Sequence, residues 1–107
     1  MAGAAAVDTQ VHAVGHTGST PATVASGATT ATTAGNELAV GFYTDSGFGD
    51  TLSAGAGYTA RVNVAPTGDM ELLTEDQLVP AGATPNATVS TGANTYWLMT
   101  TITFKTG

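Results

Sequence analysis

Between Tyr96 and Phe104 the chain alternates: Tyr96, Leu98, Thr100, Ile102 and Phe104 form one set, and Trp97, Met99, Thr101, Thr103 and then Lys105 the other. A period of two is the mark of a β-strand, because successive side chains leave opposite faces of a sheet. The same period recurs upstream. Val7, Thr9, Val11 and Ala13 alternate with Asp8, Gln10, His12 and Val14; from Glu37 to Tyr43, Leu38, Val40 and Phe42 share one face. Tyr58, Ala60, Val62 and Val64 oppose Thr59, Arg61 and Asn63. These runs gather the β-branched and aromatic residues that suit a pleated, half-buried surface. No segment of helical length carries a 3.6-residue period, and Glu71–Leu78 is the one place left for a short helical turn.

Breaks fall where strands must turn. Gly15–Pro21, Gly35-Asn36, Ser46-Gly47, Pro66-Thr67-Gly68, Pro80–Pro85 and Gly92-Ala93-Asn94 each interrupt the alternation. Pro66-Thr67-Gly68 lies between two good strands, which predicts a hairpin joining 57–64 to 69–75. Seven or eight short strands at this spacing predict an all-β fold, an antiparallel β-sandwich or jelly-roll type. The expected organisation is one β module over 1–107, with a flexible start over 1–6. Residues 17–35, rich in Thr, Ala and Gly, form either an edge strand or a linker.

Composition narrows the partners. The 107 residues suit a single domain. Only 9% are charged, against roughly 25% in a typical domain, a surface better suited to an extracellular or cell-surface setting. The net charge is −6, with Arg61 and Lys105 as the only strongly basic residues. Nucleic-acid binding needs several phosphate-neutralising cations and is excluded on that ground. No apolar run approaches the roughly 20 residues of a spanning helix, so membrane insertion is not expected. Residues 1–6 have neither the basic nor the apolar region of a signal peptide, so a secreted parent is expected to carry that signal upstream. Cysteine is absent, which removes disulfides and thiolate metal sites.

From about Val7 onward the chain resembles the C-terminal half of jelly-roll or lectin-like β-sandwich domains of secreted or surface-attached bacterial proteins. The resemblance rests on Asn36-Glu37-Leu38-Ala39-Val40-Gly41, Ala54-Gly55-Ala56-Gly57-Tyr58-Thr59, Glu75-Asp76-Gln77 and the terminal Trp97-Leu98-Met99 with Phe104-Lys105. It implies an architecture and no particular chemistry. It also implies that the chain is a half-domain, whose uncovered apolar face is buried against the missing half or, in a homo-oligomer, against a second copy.

Candidate chemical groups are few. His12 and His16 have helix-type metal spacing, but on a strand they stand about 13 Å apart. Glu71 and Glu75, read as a glycosidase-like pair, have the same separation on a continuous strand, beyond the ~10 Å limit of such pairs. Asp76 then points to the opposite face. No Gly-x-Ser-x-Gly elbow is present, and Gly47-Phe48-Gly49 lacks the lysine and helix of a phosphate loop. No catalytic set emerges, and an enzyme is not expected.

The loop Asp45-Ser46-Gly47-Phe48-Gly49-Asp50 offers two carboxylates for a hard cation, which makes Asp45 and Asp50 a candidate Ca2+ site. Tyr43, Phe48 and Trp97, with the same two aspartates, are the candidate ligand-binding residues for a glycan. The expectation is therefore a non-catalytic structural or interaction module acting through sheet surfaces and self-association. The alternative is a carbohydrate-binding module.

Overall fold

A computed structural model describes residues 6–106, so the flexible start expected over 1–6 lies, apart from Ala6, outside the described residues. The described residues form eight strands: β1 (Val7–His16), β2 (Ala22–Ala25), β3 (Glu37–Asp45), β4 (Ser53–Ala54), β5 (Thr59–Val64), β6 (Glu71–Val79), β7 (Thr88–Thr91) and β8 (Tyr96–Phe104). All pair antiparallel, in two sheets: β1-β8-β3-β6-β5 and β2-β7-β4. The architecture is all-β and consistent with a β-sandwich. Among the described residues no helix is long and apolar enough to cross a membrane.

The expected hairpin is present, with β5 returning through 65–70 into β6. Glu71–Leu78, the place left for a helical turn, is instead continuous strand paired on both sides. Its alternating Leu72, Thr74, Asp76 and Leu78 supply a period of two, which outweighs the helix propensity of its glutamates. Turns fall on the residues that tolerate a left-handed backbone: Asn36 (φ 57°) and Asn94 (φ 56°) occupy the Gly-Asn and Gly-Ala-Asn breaks.

The low-complexity stretch divides in two. Part of it is β2, an edge strand of the small sheet. The rest runs beside 80–87 through backbone hydrogen bonds that include Ser26 N to Ala87 O (3.1 Å), Thr29 N to Pro85 O (3.0 Å) and Thr32 N to Ala83 O (2.9 Å). Thr29 and Thr32 are buried along this path.

The core between the sheets is small: Val24, Tyr43, Leu52, Leu73, Ala87, Val89 and Met99, with Tyr58, Ala65 and Trp97 packed at its margin. Hydroxyl pairs extend it. Thr9 Oγ1 lies 2.6 Å from Thr103 Oγ1, and Ser26 Oγ lies 2.6 Å from Thr101 Oγ1. The large sheet has an unexpected polarity. Its inner face on β3 is Glu37, Ala39, Gly41, Tyr43 and Asp45, whereas Leu38, Val40 and Phe42 look outward. The general rule would turn the larger apolar residues toward the core. The three-stranded partner, with strands of four, four and two residues, instead covers the face bearing small and polar side chains.

Candidate functional site

The inward carboxylates are the chemically unusual feature of the fold. Glu37, Asp45, Glu71 and Glu75 are buried on one sheet face, at 0%, 2%, 1% and 0% exposure. Ionised groups so placed need partners, because burial disfavours the charged form.

Three carboxylates meet at one end of the sandwich. Asp45 closes β3 and Glu71 opens β6, and antiparallel register sets the two directly opposite each other. Asp50 comes from the loop after β3. Oxygens of Asp45, Asp50 and Glu71 lie within 4.8 Å of one another. The loop is anchored by backbone bonds from Ser46 N to Tyr96 O (2.9 Å) and from Gly49 N to Pro66 O (2.8 Å). The Asp50 N–H donates to Glu71 Oε2 at 2.7 Å, so the loop is tied directly to β6.

The Asp45 and Glu71 carboxylates are aimed by fixed donors. The Gly47 N–H donates to Asp45 Oδ1 at 2.9 Å. The Tyr43 hydroxyl donates to Asp45 Oδ2 at 2.5 Å and lies 2.8 Å from Thr91 Oγ1, which donates to the same oxygen at 3.1 Å. Glu71 Oε1 is buried with no hydrogen-bond partner. Burial, and then the Asp45 carboxyl beside it, push the Glu71 carboxyl up to about 7, against the pull of the Asp50 N–H. Burial and the Asp45 carboxylate likewise push the Tyr43 hydroxyl well above its ordinary range.

Gly47 is required by this crowding. A Cβ there would stand 2.7 Å from Asp50 Oδ2, 2.9 Å from Glu71 Oε1 and 2.9 Å from Thr95 Oγ1. Oxygens from three separate segments therefore converge on one point of the loop.

The structure brings Asp45 and Asp50 together and adds Glu71 to them. The glycosidase-like pairing of Glu71 with Glu75 does not arise, since those two sit four residues apart on one face of β6, about 13 Å along the strand. The signal that would have found Glu71 is the β3–β6 register, a pairing between strands 26 positions apart at Asp45 and Glu71. Thr91 and Thr95 escape sequence reasoning because isolated threonines carry no motif.

Of the aromatics, Tyr43 is wholly buried, so it serves to orient Asp45 and presents no ring to a sugar. Phe48 is 64% exposed at the loop tip. Trp97 is half-buried, its indole lying over Gly15 and against the core margin. His16 leaves the histidine pair altogether and packs on Tyr96, ring centroids 4.2 Å apart. No family model, curated protein or solved structure matches the chain.

Proposed function

We propose that this protein is a non-catalytic structural or interaction module of an extracellular or cell-surface protein, akin to jelly-roll or lectin-like sandwiches, and that it acts by self-association through the large sheet. The observation that carries this reading is the outer face of that sheet. Leu38, Val40 and Phe42 of β3 lie beside Leu98, Ile102 and Phe104 of β8 on one surface, and Val40 faces Ile102 across the strands. Phe42 is exposed and the other five are half-buried, and contiguous apolar area open to solvent marks an interaction site.

A second copy is the occupant that the charges favour. The chain carries −6, yet across β3, β6 and β8 this face holds a single charged group, Asp76, which Arg61 neutralises at 3.0 Å. Two copies can meet there without bringing their acidic groups together. Burial of Asp45 and Glu71 supports the non-catalytic part, since carboxylates 2% and 1% exposed offer an organic substrate almost no surface. Light scattering and sedimentation at micromolar concentration test the reading. The expected result is a dimer or larger species that Val40→Lys with Ile102→Lys converts to a folded monomer. A parent chain that stays monomeric overturns it.

A groove of about 260 Å³ lined by Met70, Tyr96 and Trp97 favours a second reading, a carbohydrate-binding module. It predicts retention on a polysaccharide column that Phe48→Ala or Trp97→Ala abolishes, with quenching of Trp97 fluorescence by the glycan. Absence of retention on plant, chitinous and bacterial glycans removes it.

A further inference from the structure

We infer that Asp45, Asp50 and Glu71 form a binding site for a divalent, oxygen-preferring cation, calcium foremost. The proposal stands on two independent observations. The first is the convergence of three carboxylates, delivered by the end of β3, the start of β6 and the loop between β3 and β4, with oxygens within 4.8 Å. The second is Glu71 Oε1, an oxygen of a side chain 1% exposed that meets no donor, although Glu71 Oε2 and both Asp45 oxygens beside it are bonded. It points to the place beside Gly47 where Asp50 Oδ2 and Thr95 Oγ1 also arrive.

No side-chain cation is available to the cluster among the described residues. Arg61 is committed to Asp76 on the opposite face of the sheet, and Lys105 acts on Asp8 at the far end. Three carboxylates in so small a volume repel one another strongly where water is scarce. A bound cation reverses the sign of that interaction. The surrounding hydrogen bonds already do what outer groups do in metal sites. Tyr43, Thr91 and the Gly47 N–H hold Asp45, and the Asp50 N–H holds one oxygen of Glu71 while leaving the other free.

The donor set is all oxygen, which selects hard cations. Calcium accepts irregular shells of six to eight oxygens, including hydroxyls and water, whereas magnesium demands near-octahedral order and sheds water reluctantly. Donors from two strand ends and a turn suit the less exacting ion. This inference is independent of whether the chain self-associates.

The test is titration of the full chain, stripped with EDTA, with calcium chloride by calorimetry. Melting curves with and without calcium accompany it, as does terbium luminescence sensitised by Trp97, the residue paired with Asp45 across β3 and β8. The expected result is one ion per chain and a higher melting temperature in calcium. Glu71→Gln should weaken binding about tenfold or more, since fewer ligand charges lower affinity. That variant matches the shape of the glutamate and leaves no charge to bury, so loss of folding is not expected. Glu75→Gln, equally buried but outside the cluster, should bind as the parent does. No heat, no melting shift and no sensitised terbium emission at millimolar ion overturn the site. So does a Glu71→Gln variant that binds like the parent, or loss of binding in both variants while each remains folded.

Discussion

Glu75 lies on the inner face of β6, with Oε1 accepting from the Gly55 N–H at 3.1 Å and Oε2 unpartnered over Gly41. Tyr58, just before β5 beside it, has its own hydroxyl raised first by burial and further by Glu75. Burial pushes the Glu75 carboxyl up to about 7, opposed by the Gly55 and Thr88 backbone. The folded chain therefore keeps this proton to higher pH than the unfolded chain, where the group titrates near 4.5. Between those values the folded state binds more protons, so stability falls as pH rises and is constant again above about 7. Each tenfold difference in proton affinity between the two states is about 1.4 kcal/mol. Glu75→Gln is expected to gain about 1–3 kcal/mol over the parent at pH 8 and almost nothing at pH 4, as read by urea unfolding in calcium-free buffer. An equal difference at both pH values would count against a buried, neutral Glu75.

At the scale of the element, β6 carries the lesson of the whole sheet. Leu73 is fully buried in the core and its neighbour Leu72 looks outward. Leu73→Ala should cost about 2–5 kcal/mol. Leu72→Thr should cost less than about 1 kcal/mol in the dilute monomer, and both are measurable from denaturant midpoints. Arg61→Ala removes an ion pair whose arginine side chain is 60% exposed, and water screens such a pair so well that the denaturant midpoint should barely move. The strands themselves were legible, because alternation in Glu37–Tyr43 and Tyr96–Phe104 and the Pro-Thr-Gly turn are local properties of the chain. Which face turns inward was not. Leu38, Val40 and Phe42 form the more apolar set, and the rule that apolar residues go inside points them to the core. Only the placement of the small sheet reveals that Glu37, Tyr43 and Asp45 are the inner set. The acidic cluster was legible to the same degree: Asp45 and Asp50 share a loop, whereas Glu71 joins them through strand register.

For the whole molecule, the proposed self-association through the outer face would make stability a function of concentration. If two copies cover it, the melting temperature rises with protein concentration, because association favours the folded form. The Val40→Lys, Ile102→Lys chain should melt at one temperature throughout a hundredfold dilution series, and the parent should not. Topology adds a kinetic consequence. In the large sheet β1 pairs only with β8, and the bond from Thr9 N to Thr103 Oγ1 spans 94 residues. A ribosome adding about 5–20 residues per second leaves the nascent β1 without its neighbour for several seconds. During that interval Val7, Val11 and Val14 are open to chaperones and to other nascent chains, so the long wait between β1 and β8 places a high risk of mispairing on β1.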